Sequence, residues 1–165
     1  MRQSSLMDDE ILNAALCVEI LDVDRLLVDW RWLCRGWFSL AARNAFGDLF
    51  LVNEQGRVIW LEVSTGDLAE IASSKSEFLD LFGHKEKRKV WLAEDDTREA
   101  ARLGLQPGLT QCVAFKTPLA FSESGKVPNN AYIADLYEYV SFLGDLNRQI
   151  AHLPDGAKIQ LKVSK

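Results

Sequence analysis

Histidine is almost missing from this sequence: His84 and His152 are the whole supply. A zinc site of three histidines is therefore excluded, and neither residue has a metal-ligating partner at i+4. A serine or cysteine nucleophile would have to use one of the two as its base. His84 stands just past a helix-ending glycine in a Lys-rich stretch. His152 falls near the end of a helical pattern, where an imidazole is favourable for its own sake. Cysteine is scarce as well. Cys17, Cys34 and Cys112 are odd in number, far apart and without a CxxC pair, which argues against a disulfide framework or a structural zinc site. Cys17 and Cys112 have apolar neighbours and are expected to be buried as small hydrophobes.

Other absences narrow the function further. The phosphate-binding patterns GxxxxGK[ST] and GxGxxG do not occur, and Asp22-x-Asp24 lacks the glycine and distal glutamate of a calcium loop. Asp135, Glu138 and Asp145 could be paired carboxylates, but Asp145 has Arg148 at i+3, which favours a surface ion pair. No catalytic residue, metal or cofactor is expected, and the chain reads as a protein that is not an enzyme. No apolar run approaches the roughly 18 residues that cross a bilayer. The start "MRQSSLMDDE" lacks the apolar core of a signal peptide. A reducing, cytoplasmic compartment is the expectation.

Basic charge is also short, with 19 Lys and Arg against 24 Asp and Glu, a net charge of −5. Phosphate binding wants a basic face, so nucleic acid is disfavoured as a direct partner. The basic run "KEKRK" at Lys85–Lys89 has no interleaved aromatics and reads as a solvated helix face. The deficit is uneven. Residues 1–83 carry 14 acidic and 7 basic side chains, whereas residues 84–165 carry 10 and 12. An acidic half could attract a basic protein.

What is present is the pattern of one ordinary globular domain: 165 residues, 48% hydrophobic and 26% charged, with no repeat and no linker composition. Asp8-Asp9-Glu10 before Ile11, Leu12, Ala15 and Leu16 predicts a helix start. "DVDRLLVDWRWLCRGW" predicts a second helix with Asp24 as a cap, and Trp30, Trp32 and Trp37 cannot share one face of it. "FSLAARNAFG" reads as a third short helix ended by Gly47. "DLFLV" and "RVIWLEV", apolar on both faces, read as strands that are covered on both sides or central in a sheet. With "LAEIA" they form a three-stranded antiparallel meander, turned at Gly56 and Gly66.

Ser74 with Glu77 makes a capping box for a helix that Gly83 ends. The helical stretch 84–104 is expected to break near Asp95-Asp96, with Thr97 capping the new turn. "TQCVAFK" is a strand and 117–130 the longest loop. "AYIADLY" begins as a strand and turns helical from Leu136. "AKIQLKV" is expected as a half-exposed final strand. The fold class is α+β: N-terminal helices over 1–37, then over 38–165 an antiparallel sheet of five or six strands with helices packed on one face.

The stretches "FGDLFLV…GRVIWLEVSTGDLAEIASSKSEFLDLF", "QCVAFKTPLAF" and "NAYIADLYEYVSFLGDLNRQIAHLPDGAKIQLKV" together resemble a bacterial domain of formerly unknown function. That domain occurs alone and at the C-terminus of immunity proteins that neutralise type VI secretion DNase toxins. The likeness runs from about Phe38 to Val163. Its pattern falls on Gly47-Asp48-Leu49-Phe50, on Gln111-Cys112, on Phe115-Lys116 with Pro118, on Asp135-Leu136-Tyr137-Glu138-Tyr139, on Arg148-Gln149-Ile150 and on Pro154-Asp155-Gly156. The resemblance implies a cytoplasmic, non-catalytic protein whose partner is a cognate toxin. It carries no catalytic residues to transfer.

The residues singled out for binding a partner or ligand are Gln111, Lys116, Asp135, Tyr137, Glu138, Tyr139 and Arg148. Tyrosines are over-used at binding surfaces because they offer area and a hydroxyl at low entropy cost. An alternative is a small-ligand or regulatory domain with a pocket under loop 117–130, where Gln111, Lys116 and Tyr137 supply the polar groups.

Overall fold

The computed structural model describes residues 2–119, 121, 127 and 129–158, the first five of them by backbone alone. The expected final strand lies outside the described residues from 159 onward, as does much of loop 117–130. The elements run α1 (Arg2–Leu16), α2 (Val23–Leu26), a 3-10 turn (Val28–Trp30), β1 (Ser39–Arg43), β2 (Leu49–Val52), β3 (Val58–Glu62) and β4 (Asp67–Ala72). Then come α3 (Lys75–Leu81), α4 (Lys85–Trp91), α5 (Glu94–Arg102), β5 (Gln111–Phe115), β6 (Ala131–Asp135) and α6 (Leu136–Ile150). The protein is α+β, and its six described strands divide between a four-stranded antiparallel sheet, β1-β2-β3-β4, and a two-stranded one, β5-β6.

The meander has four strands because the stretch read as a third helix is β1. Alanine-rich "SLAAR" has helical propensity, yet Leu40 pairs with Leu51 and Arg43 with Leu49 across an antiparallel ladder. Ladder and burial override a weak local preference. Gly47, at φ 91°, turns the β1–β2 hairpin instead of ending a helix. Asn44 fastens that hairpin: its Oδ1 accepts from the Phe46 and Asp48 backbone N–H at 3.0 and 3.1 Å.

Helices cover both faces of the large sheet, not one. Leu49, Leu51, Leu61 and Val63 face α6 and the Trp30 segment in one core. Phe50, Val58 and Ala72 face Phe78, Phe82 and Trp91 of α3 and α4 in the other, with Ala15 of α1. Strand side chains alternate, so a two-sided apolar strand needs two partners, and both β2 and β3 are central and covered. Residues 1–37 enter both cores. Trp30 is fully buried and donates its indole N–H to Val140 O at 2.8 Å. Trp32 donates to Gly144 O at 3.2 Å, and Trp37 stays 60% exposed.

Local boundaries moved in three places. Helix α1 starts upstream of the acidic run, and Asp8 inside it pairs with Arg98 of α5. The cap of α2 is Asp22, which accepts from Arg25 N, so Asp24 is free to pair with Arg31 at 2.8 Å. The break between α4 and α5 falls at Leu92-Ala93, where Ala93 takes a left-handed φ of 47°. Thr97 then lies inside α5 and donates its hydroxyl back to Ala93 O at 2.9 Å. Cys17 is exposed, while Cys34 and Cys112 are buried. The capping box holds: Ser74 Oγ accepts from Glu77 N at 3.1 Å. The Glu77 carboxylate reaches back to Ser73 N, also at 3.1 Å.

Candidate functional site

The structure spreads the seven singled-out residues over separate places. Gln111 and Asp135 are directly opposite each other at one end of the β5–β6 pair. Gln111 accepts from Gly108 N at 2.9 Å and so folds the preceding turn. Asp135 caps α6 by accepting from Glu138 N at 3.0 Å, and both side chains are exposed. Lys116 lies at the other end of β5, its backbone N–H bound to Asn130 O at 2.8 Å. There Asn130 clasps the two ends of loop 117–130 through Thr117, donating to its O and accepting from its N, each at 2.8 Å.

Tyr137 and Tyr139 serve the fold. The Tyr137 hydroxyl accepts from Asp22 N at 2.9 Å, and the Arg25 guanidinium lies 4.1 Å from its ring centre. Tyr139 is buried and accepts from Phe115 N at 3.3 Å, and burial pushes its hydroxyl well above the usual phenol range. Arg148 sits about 14 Å further along α6 than Tyr139, paired with Asp145 at 2.7 Å, both half-exposed. Only Gln111, Asp135 and Glu138 share one exposed corner.

Two further features stand out. The first is Asp48. Its carboxylate accepts from Val63 N at 3.1 Å, Asn44 Nδ2 at 3.0 Å and Trp60 Nε1 at 3.4 Å, locking the β1–β2 hairpin to the end of β3. Its pKa is raised from 3.8 to about 6, and no cation pairs with it among the described residues. Burial is the larger cause and the three donors offset part of it. A raised carboxylate pKa means that the folded protein holds this proton more tightly than the unfolded chain. The stability it contributes is complete below pH 3.8 and is lost as pH rises through about 6. The difference in unfolding free energy between wild type and Asp48→Asn should therefore fall by about 2 kcal/mol from pH 4 to pH 7. Denaturant unfolding across that range, on both proteins, measures it. A flat difference means that the carboxyl does not titrate there.

The second feature is a cavity of about 300 Å³ between α1, α5 and the turn 105–109. Arg43 and Arg98 both line it, as does Cys17. None of its lining residues belongs to loop 117–130, where the ligand alternative had placed a pocket. Arg43 is 6% exposed, and burial lowers its pKa. The sequence offered no signal for it: the stretch that holds Arg43 was expected to be a short helix, and arginine is rarely buried. Beside the cavity, Glu94 is 1% exposed and held by Arg88 at 2.9 Å and Arg98 at 3.3 Å.

No cluster of three or more His, Cys, Asp or Glu that could hold a metal occurs among the described residues. No described helix is long and apolar enough to cross a membrane. The structure thus defines an α+β protein with an acidic sheet edge and a partly open cavity lined by Arg43. No protein-family model matches the chain, and no curated protein matches it. The likeness to the immunity-protein domain rests on the motifs quoted above.

Proposed function

We propose that this chain is a non-catalytic, immunity-type protein-binding module that masks a secreted nuclease toxin in the cytoplasm. The observation that supports this reading is the outer edge of the large sheet. β4 is a terminal strand, and four of its six residues, Asp67–Glu70, are exposed. From Glu62 to Asp80 the chain carries Glu62, Asp67, Glu70, Glu77 and Asp80 against Lys75 alone. Leu68 and Leu79 are exposed at 38% and 42% within the same stretch. A nuclease cleft is basic because it binds phosphate, and an acidic edge with apolar points is complementary to it. Masking needs no chemistry from the chain, only a face that excludes DNA.

The test is calorimetric titration of the purified chain with the nuclease encoded beside its gene, at low and physiological salt. Binding should weaken by about tenfold or more at the higher salt. The double variant Glu70→Lys/Asp80→Lys should lose a similar factor, mostly in association rate. Affinity indifferent to salt and to the double variant would remove the electrostatic part. Failure to bind, or a gene neighbourhood without a toxin, would remove the reading.

A further inference from the structure

The cavity between α1, α5 and the 105–109 turn holds a buried cation with no counter-ion among the described residues. Arg43 uses its guanidinium on three neutral carbonyls: Nε donates to Asn44 O at 3.2 Å, Nη1 to Leu109 O at 3.2 Å and Nη2 to Gln111 O at 2.6 Å. A guanidinium has five N–H groups, so two are left over. No carboxylate pairs with Arg43 among the described residues. Taking a charge out of water without a partner costs several kcal/mol. An anion in the cavity would offset that cost.

A second donor stands on the same wall. Arg98 Nε is buried with no acceptor among the described residues, while the rest of that guanidinium serves Asp8, Glu94 and Asp95. The charge of Arg98 is thus already met, and that of Arg43 is not. The remaining wall is largely apolar, with Ile11 and Ala14 of α1, Ala101 of α5, and Leu105 and Leu109 of the turn.

We propose that this cavity is a binding site for a small amphipathic monocarboxylate, its carboxylate on the spare N–H groups of Arg43 and its apolar chain against Ile11, Ala101 and Leu105. A planar guanidinium matches a carboxylate in shape as well as charge. A dianionic phosphate fits less well, because Glu10 also lines the cavity. Size sets the chain length. A dry cavity of about 150 Å³ holds benzene, with six heavy atoms, so roughly twice that volume suits about ten to twelve. Octanoate, with ten heavy atoms, is the natural probe. This site is separate from the acidic edge, and its occupation does not depend on a toxin partner.

The experiment titrates the full chain with octanoate, with octanamide as its uncharged match and with acetate as its chainless one. Octanoate should bind at one site with a submillimolar Kd, and both controls should be weaker by about tenfold or more. Octanoate should also slow alkylation of Cys17, the exposed thiol on the cavity wall. Arg43→Met should bring octanoate down to the level of octanamide. Arg43 also braces the Leu109 and Gln111 carbonyls, so a second variant, Ala101→Phe, fills the cavity and leaves Arg43 in place. It should abolish binding of octanoate. Three results would each overturn the proposal: no octanoate binding up to about 10 mM, octanamide binding as well as octanoate, or unchanged octanoate binding to a folded Ala101→Phe.

Discussion

Phe50→Ala should destabilise the protein by about 4 kcal/mol, the largest effect expected of any single truncation here. Phe50 is fully buried on β2, and four aromatic rings surround it. Phe78 lies at 5.3 Å between centroids, Trp60 at 5.9 Å, and Phe82 and Trp91 at 6.3 Å each. These neighbours come from β3, α3 with its C-cap Phe82, and α4, and they also pack on one another, with Phe78 and Phe82 4.5 Å apart. Removing the central ring loses its transfer free energy and leaves a hole. The rings around it are held by several elements and cannot all collapse inward. The lost ring–ring contacts add to the cost. Urea unfolding measures it as a lower midpoint at unchanged slope. A loss below about 1.5 kcal/mol would mean that the core on this face relaxes freely and that α3 and α4 are not anchored by it.

Gly144→Ala should destabilise by about 3 kcal/mol, although the same change in an ordinary helix interior stabilises by up to about 1. Gly144 lies inside α6, and a Cβ built there would stand 2.6 Å from Asp29 O and 2.8 Å from Asp29 C, with Trp30 Cδ1 at 3.0 Å. Two of those atoms are backbone. They cannot swing aside, so either the 3-10 turn Val28–Trp30 or α6 has to retreat. Retreat would strain the bond from Trp30 Nε1 to Val140 O and that from Trp32 Nε1 to Gly144 O. It would also strain the contact between the Ser141 hydroxyl and Asp29 Oδ2. The close approach is therefore the seam by which residues 1–37 join the rest of the molecule. Thermal unfolding should show the loss as a drop of several degrees in Tm. A rise in Tm would show that helix propensity outweighs the clash and that the seam is loose.

The sequence by itself determined whatever depends on neighbours a few residues apart. The Ser74–Glu77 capping box, the turns at Gly56 and Gly66, and the switch from strand to helix at Leu136 are local chemistry, and they stand where the residues put them. Two-sided apolar strands also announced a sheet needing cover on both sides or a central place, and β2 and β3 have both. The sequence failed where a distant partner outvoted a local preference. "SLAAR" became β1 because β2 offered it a ladder.

The candidate sites were the least legible part. Tyr137 and Tyr139 were singled out for a binding surface, but their hydroxyls accept from Asp22 N and Phe115 N, 115 and 24 residues away. Arg43 fell in a stretch expected to be helical, and its partners at Leu109 and Gln111 lie 66 and 68 residues along the chain. Burial and counter-charge are properties of the whole fold. Only when α1, α5 and the 105–109 turn closed over β1 did an ordinary arginine become a buried cation facing a cavity.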